Sequence, residues 1–290
     1  MADAPAPVAA PTLPPSPVDR FRTIGTVVTL ALVAWATWQL DAKWNRLLDA
    51  PADLFTVFRA MITNIDWSET SVWIGEMWES ISIAWFGTVL ATIFAAPLSF
   101  LAAENLVGRP IAWVTRQVFN VLRAIPEVIL ALAFIPIFGL TPKAGALAIG
   151  VGSIGTLGKL FHEIIEGIDR GPIEAADAVG GTAVQRLRWG VLPQVTPELA
   201  SFVLYRFEVN IRASAVMGLV GAGGIGDKLA QALRFKDWGG AGLGFIVVVL
   251  GTIAVDTIST AVRARIVNGP PKPSDLGREP APRRETASAA

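Results

Sequence analysis

The sequence has 290 residues, of which 52% are hydrophobic and 17% are charged. Soluble domains carry about 25% charged residues, so this chain has too little charge to cover a soluble globule and is predicted to be an integral membrane protein. The 24 basic and 24 acidic residues cancel, which gives no indication of a nucleic-acid partner. The chain has no Cys and a single His, His162, so disulfides, zinc–thiolate sites and multi-histidine metal sites are excluded.

The two ends of the chain are rich in small residues and proline. Residues 1–19 contain six Pro and five Ala, residues 269–290 contain five Pro, and neither segment has an aromatic residue. Such segments cannot bury enough apolar surface to offset their ordering entropy, so both are predicted to be disordered. The remaining chain divides into a first span with an outer segment, over 20–79, and a larger membrane domain, over 80–266, before a tail at 267–290.

Six apolar stretches between the tails are each about 15 to 25 residues long, which suits helices that cross a bilayer. They are Ile24–Leu40, Ile81–Ala103, Ala124–Leu140, Ala144–Gly158, Pro197–Val220 and Leu243–Val262. The first also resembles a signal peptide, because Arg20 and Arg22 precede it and Ala34–Ala36 resembles a cleavage site. Its long apolar continuation favours an uncleaved anchor. The sequence thus predicts an all-α membrane protein with about six transmembrane helices.

Orientation follows from the distribution of Lys and Arg. With the N-terminus in the cytoplasm, 15 of these residues fall in inner segments and 7 in outer ones, so both termini are predicted to be cytoplasmic. The outer segment Asp41–Ser80 has apolar residues at helical spacing and four scattered Trp residues. Such a pattern predicts one or two amphipathic helices on the outer membrane surface.

The inner segment Lys159–Gln194 has 36 residues, more than two spans need for a connection. Pro172 suits a helix start, and Glu174 in the first turn complements the positive end of the helix dipole. Ala175 and Ala176 leave a low surface on which another protein can pack closely.

A second short helix is predicted to follow the first. Gly180–Gly181 ends the first helix, Thr182 can cap the second, and Pro193 is expected to stop it. The product is a helix-turn-helix at the inner face of the membrane. The alternative is a structural loop that packs only against its own bundle.

This segment resembles the coupling motif of ABC importer permeases. The matching residues are Glu174, Ala175, Ala176, Gly180, Leu192 and Pro193. Gly190 departs from the family pattern, which favours Ile, and Val191 is expected to supply the apolar contact one place later. In this family the loop docks into a separate ATPase subunit. The resemblance therefore implies that ATP–Mg binds to that ATPase subunit and that this chain holds no cofactor.

The resemblance covers about Ser80 to Ile266, which corresponds to the type I importer core. Within that class the chain is most similar to phosphonate-type permeases, on the stretches Leu101–Asn105, Lys159–Glu163 with Glu166, Phe207–Arg212 and Gly218–Gly226. The resemblance implies a bacterial inner-membrane subunit that imports phosphonate, phosphate or a related oxyanion. Its implied partners are a second copy of the permease, two ATP-binding subunits and an extracytoplasmic substrate-binding protein. A methionine or other amino-acid importer of the same class is the alternative.

Two motifs resemble enzyme sites. The run containing Gly221, Gly223, Gly224 and Gly226 fits GxGxxG, yet membrane spans flank it, so it is interpreted as a break between spans where Gly allows close backbone approach. His162-Glu163-Ile164-Ile165-Glu166 lacks the second His of a zinc-protease helix. His162 is therefore expected to be a polar surface or interface residue, and a membrane-embedded enzyme is the disfavoured reading.

Charges in the fifth span are the candidates for a translocation pathway, because charges within a bilayer usually face a bundle interior or a watery path. The candidates are Glu208, Asn210, Arg212 and Ser214. Glu208 and Arg212 lie four apart, so they can pair on one helical face, and direct contact with the substrate is the alternative. Arg206 is expected to snorkel towards water. Asp256 in the sixth span is expected to satisfy Ser259 or Thr260.

One cluster runs against the predicted orientation. Lys228, Arg234 and Lys236 lie in an outer connection. They are expected either to meet an anion or an acidic patch of the binding protein, or to pair locally with Asp227 or Asp237.

Overall fold

The computed structural model describes residues 20–39 and 46–268, so both proline-rich tails and the junction at 40–45 lie outside the described residues. Within these ranges the chain is helical, with no strand, which confirms the all-α class. The helices are α1 (Arg20–Gln39), α2 (Arg46–Thr63), α3 (Thr70–Ala102), α4 (Glu104–Val107), α5 (Arg109–Ala124), α6 (Glu127–Phe138), α7 (Pro142–Glu166), α8 (Gly171–Ala178), α9 (Ala183–Gln185), α10 (Leu192–Gly218), α11 (Gly224–Arg234) and α12 (Trp238–Asn268).

The chain divides into two compact units at Thr56 and Val57, within α2. In the first unit, α1 is an apolar helix whose side chains are exposed from Phe21 to Gln39. A helix without a polar face is stable where an apolar medium surrounds it, as expected of the first span. That this span is an uncleaved anchor stays a prediction.

Four helices of the described chain are long and apolar enough to cross a membrane: α1, α3, α7 and α12. The pair α5 and α6 forms a fifth candidate, bent by 83° at its break. The 27-residue α10 is also long enough to span, and its four charged residues explain why hydropathy does not select it. The count of six spans therefore stays a prediction.

The predicted third span, Ala124–Leu140, is wrong at its start. Ile125 is extended (φ −90°, ψ 118°), and Pro126 precedes α6 as its N-cap instead of lying in its first turn. The cause is local, because the ring of a proline disfavours helical geometry at the residue before it. The break turns the chain sharply between α5 and α6.

The outer segment also differs from its prediction. After α2, a short 3-10 turn at Trp67–Glu69 leads directly into α3, so Trp73 and Trp78 belong to the first turns of a 33-residue helix. Asp66 caps the turn by accepting a hydrogen bond from Ser68 N at 2.9 Å. Hydrogen bonding from the side chain of Ser68, and then from its backbone N–H, lowers the pKa of the Asp66 carboxyl group. The apolar residues of the segment thus divide between α2 and the start of α3.

Helix α7 lies at the centre of the second unit, with 67% of its most apolar stretch buried. Its glycines allow neighbouring helices to approach closely: a Cβ at Gly150 would lie 2.7 Å from Leu90 Cδ2, and one at Gly158 would overlap the Phe119 ring. Small residues at helix contacts are the usual means of close packing inside a bilayer. Helices α3, α5, α6 and α10 all contact α7.

Candidate functional site: an exposed hairpin and the charges inside the bundle

The segment 171–193, here called the coupling hairpin, is built from two short helices and a tight turn. Pro172 lies in the first turn of α8, and Gly180 ends that helix with φ +74°, a left-handed conformation that favours glycine. Thr182 starts α9 with a capping box, in which Gln185 N donates to Thr182 Oγ1 at 3.4 Å and Thr182 N donates to Gln185 Oε1 at 2.8 Å. The short helices and the cap therefore follow the sequence prediction.

The expected stop at Pro193 is wrong. A π-helical stretch, Arg186–Val191, joins α9 to α10, and Leu192 and Pro193 form the first turn of that long helix. Proline is tolerated in a first turn because its missing N–H would have no partner inside the helix. The coupling hairpin consequently runs without a break into α10.

Several contacts fasten the coupling hairpin to the base of α10. The Gln194 amide donates to Asp169 O at 3.1 Å and to Gly190 O, and its oxygen accepts from Asp169 N at 3.0 Å. A Cβ at Gly190 would lie 3.1 Å from Ile173 Cγ1, so the residue that departs from the family pattern lies where α8 presses against the π-helix. Val191, next to it, is buried with Val195 and Ala103.

The outward side of the coupling hairpin is unusually apolar for a surface loop. Val179, Val184 and Trp189 are 84%, 73% and 68% exposed. Glu174 and Ala175 are also exposed on α8. Large exposed apolar side chains on a segment held by specific contacts are typical of a surface that another protein covers.

Inside the bundle, Arg206 is bound by two other helices. Its guanidinium pairs with Glu127 in the first turn of α6, and its Nε donates to Ser153 Oγ at 3.0 Å. Ser153 donates to Asn210 Oδ1 at 3.2 Å, and Asn210 donates to Thr88 Oγ1 at 2.8 Å. The chain of contacts, here called the central network, joins α3, α6, α7 and α10 with every named side chain partnered.

Arg206 was expected to snorkel towards water, and that expectation is wrong. Its side chain is only 12% exposed, because Gly152 leaves room for Glu127 beside it: a Cβ there would lie 2.7 Å from Glu127 Cγ. No sequence pattern marked Glu127 as its partner, since the two residues lie 79 positions apart.

The expected pairing of Glu208 with Arg212 is also wrong. Glu208 Oε1 accepts from Arg263 at 2.7 Å, and Arg212 NH1 lies 3.6 Å from Asp256 Oδ2. Both pairs join α10 to α12, so packing between helices supplies closer partners than the spacing along α10. Asp256 thus faces Arg212 instead of serving Ser259 or Thr260.

The four pathway candidates consequently separate into two groups. Asn210 and Ser214 are fully buried, with Ser214 donating to Ile211 O at 2.8 Å, and Asn210 belongs to the central network. Glu208 and Arg212 belong to the contact with α12, where the Arg212 and Asp256 side chains are 52% and 42% exposed. Arg212 is therefore the most accessible of the four.

The glycine-rich run forms the predicted break between helices. Gly221, Gly223 and Gly224 all have positive φ. The amides that would bind a phosphate already have partners in this chain: Gly224 N donates to Glu79 Oε1 at 3.1 Å and Ile225 N to Ser80 Oγ at 3.0 Å. A Cβ on Gly226 would overlap Ala215 O, so this glycine serves close backbone approach.

The outer basic cluster is only partly paired. Lys228 Nζ lies 3.5 Å from Glu69 Oε2 and 5.0 Å from the centre of the Trp73 ring. The expected partners, Asp227 and Asp237, are therefore wrong for Lys228. Arg234 and Lys236 are exposed at the C-terminal end of α11.

His162 is a buried residue, at 7% exposure, so the surface alternative of the sequence prediction is wrong and the interface alternative stays a prediction. Its ring stacks on Phe119, with 6.4 Å between centroids, and its Nδ1 lies 3.7 Å from Glu166 Oε2. Glu166 also pairs with Arg116 and accepts from Glu104 N at 2.7 Å. The described residues contain no group of His, Cys, Asp and Glu able to hold a metal ion.

The apolar helices of the described chain, with ion pairs between them, define a multi-pass membrane protein. The chain belongs to the binding-protein-dependent transport system inner membrane components, whose family model matches residues 95–268. The resemblance to ABC importer permeases is thereby confirmed, as is the likeness to the phosphonate type by the relatives that follow.

Two curated relatives and one solved structure are similar over long stretches. The phosphite transport system permease protein PtxC of Stutzerimonas stutzeri is 36% identical over 84% of this chain and 89% of its own. The phosphate-import permease protein PhnE of Mycolicibacterium smegmatis is 39% identical over 65% of this chain and 36% of its own. A chain of the inward-facing MetNI methionine ABC transporter matches 68% of this chain and 99% of its own, with 25% identity and a TM-score of 0.57.

Proposed function

We propose that this chain is the permease subunit of an ATP-driven importer for a phosphorus oxyanion such as phosphite, phosphate or a phosphonate. The observation that carries the mechanism is the coupling hairpin, which has exposed apolar side chains and is bound to the start of α10 through Gln194 and Gly190. Force applied to the hairpin by a partner would move α10 and, with it, the ion pairs inside the bundle. The similarity to phosphite and phosphate permeases supports the substrate class.

The coupling residues are Glu174, Ala175, Ala176, Gly180, Leu192 and Pro193, with the hairpin on the cytoplasmic side. A separate ATPase, with two copies expected, docks on the hairpin and itself binds ATP–Mg. This chain contributes no cofactor and no catalysis of its own. Both termini are cytoplasmic in this arrangement, in accordance with the Lys and Arg distribution.

One helical bundle supplies half of the translocation pathway, and another permease subunit supplies the other half. A second copy of this chain satisfies the requirement, and so does a homologous partner permease. An extracytoplasmic binding protein delivers the oxyanion to the outer face, where Arg234 and Lys236 are exposed.

Uptake by the reconstituted importer tests the function. The permease, its ATPase and its binding protein are placed in vesicles, and accumulation of labelled phosphite and phosphate is compared with that of methionine. We expect ATP-dependent uptake of at least one phosphorus oxyanion and none of methionine. Uptake of methionine alone would favour the second candidate, an amino-acid importer, which the similarity in fold to the methionine transporter supports.

A further inference from the structure

The contact between α10 and α12 has hydrogen-bonding capacity that the protein itself does not use. Ser259 is 4% exposed, and its hydroxyl has no partner among the described residues. Asp256 Oδ1 and Arg263 Nε are likewise enclosed and unpartnered in the described part of the chain. These three residues follow one another at i, i+3 and i+7 on α12, so they share one helical face.

The two ion pairs on this face differ in tightness. Arg263 donates to Glu208 at 2.7 Å, which is a direct hydrogen bond. Arg212 NH1 and Asp256 Oδ2 are 3.6 Å apart, beyond hydrogen-bond distance. A competing anion therefore displaces the carboxylate partner of Arg212 more easily than the carboxylate partner of Arg263.

The exposed side of the Arg212–Asp256 pair cannot lie against lipid tails. Both side chains are about half exposed, and both lie well inside helices that are 27 and 31 residues long. Ionised side chains at that depth face a watery path or another subunit, because hydrocarbon solvates them poorly. The α10–α12 face is consequently turned towards a watery path or towards another permease subunit.

We propose that this face recognises an oxyanion that still carries one P–OH group, through Arg212, Asp256, Ser259 and Arg263; the inference rests on the proposed function. The enclosed atoms become accessible when the loose Arg212–Asp256 pair opens. Arg212, Arg263 Nε and the Ser259 hydroxyl then donate to the ion's oxygens, and the ion's own hydroxyl donates to Asp256 Oδ1. Phosphate and phosphonate monoanions can make this last bond. Sulfate has no proton to donate at neutral pH, so the Asp256 carboxylate repels it.

Ligand-dependent stability of the full-length permease in lipid nanodiscs tests the site. Inorganic phosphate and sulfate are titrated at matched ionic strength while thermal unfolding is followed, since a ligand that binds only the folded state raises its Tm. We expect phosphate to protect the starting protein and sulfate to protect it much less. Ser259→Ala and Asp256→Asn are expected to weaken phosphate binding about tenfold, the size of one hydrogen bond to a charged group.

Thr257→Ala is the matched control, because Thr257 is exposed on α12 and its hydroxyl donates to its own backbone, to Ile253 O at 2.7 Å. It is expected to keep full protection by phosphate. Equal protection by sulfate and phosphate, or undiminished protection in both Ser259→Ala and Asp256→Asn, would overturn the site and leave hydration or helix packing as the role of these atoms. Phosphite or phosphate uptake by the starting importer is measured in parallel, and its absence would refute the proposed function itself.

Discussion

The charged residues inside the bundle differ in how completely their partners satisfy them. Arg206 is enclosed and bonded to both Glu127 and Ser153, whereas Arg212 is half exposed and loosely paired with Asp256. Removing one member of a buried pair leaves the other charge without compensation, at a cost of about 3–5 kcal/mol. The two arginines should therefore fail in different ways when they are replaced.

Replacing Arg206 should damage folding. Arg206→Ala leaves the Glu127 carboxylate without its cationic partner, so we expect a markedly lower yield of monodisperse protein and a lower Tm. Adding Glu127→Gln to that variant removes the uncompensated charge and should restore part of the loss. Thermal unfolding in detergent measures both effects, and an unchanged Tm in Arg206→Ala would show that the central network is dispensable for stability.

Replacing Arg212 should damage transport. Arg212 is half exposed and its pair is 3.6 Å long, so Arg212→Ala should fold normally while oxyanion uptake falls at least about tenfold. The reciprocal exchange, Arg212→Asp with Asp256→Arg, keeps an ion pair in place and supplies the test of a merely structural role. Recovery of uptake in the exchanged protein would show that the pair only joins α10 to α12.

At the level of elements, the coupling hairpin depends on one left-handed residue. A Cβ at Gly180 meets nothing within 4 Å, so a side chain there projects into open space while its backbone is held at φ +74°. A residue other than glycine in that conformation costs about 1–2 kcal/mol, and Asn tolerates it best. Two substitutions of Gly180, one small and one large, can thus separate the effect of backbone strain on the hairpin from the effect of side-chain bulk.

Gly180→Trp should prevent ATPase docking, because the indole ring would project into the open space beside the turn. We expect copurification of the ATPase and uptake in vesicles to fall at least about tenfold, while the permease still inserts. Gly180→Asn is the control and should retain most of both, since it keeps the turn with a small side chain. Normal ATPase binding by the Trp variant would remove the coupling role from this turn.

For the whole molecule, the orientation in the membrane is directly testable because the chain has no Cys. Single Cys residues at Val184, in the coupling hairpin, and at Phe235, after α11, are both placed at exposed positions. With the permease expressed without its ATPase, a membrane-impermeant thiol reagent should label Phe235→Cys in intact cells and Val184→Cys only in inverted vesicles. The opposite pattern would reverse the proposed topology.

The outer basic residues provide a second test at this scale. Arg234 and Lys236 are exposed, so exposed charges on a binding protein would attract them over about 10 Å at 0.1 M salt. Changing both to Glu should lower uptake severalfold at low ionic strength and less at high ionic strength. Lys228, which already pairs with Glu69, is the matched control when it is changed to Gln. Salt-independent uptake in the double Glu variant would contradict a role in docking.

The sequence predicts local features well and contacts between helices poorly. The helix starts at Pro172 and Thr182 and the break near Gly223 are properties of a few neighbouring residues, and the structure has them. The partners of Arg206, Glu208 and Arg212 lie on other helices, and spacing along α10 carries no information about them. The bend at Pro126 was missed because a proline is tolerated in the first turn of a helix, so a helix beginning at Ala124 could accommodate it.

The π-helical stretch Arg186–Val191 has a consequence for mechanics. Each hydrogen bond of a π-helix closes a turn with one residue more than in an α-helix. A change from π-helical to α-helical pairing therefore shifts the chain by one residue while the neighbouring helix stays formed. Such a change would add one residue to the α-helix, which corresponds to about 1.5 Å of translation along its axis and about 100° of rotation about it. A change between the two pairings in this joint would therefore rotate the hairpin relative to α10 by that fixed amount.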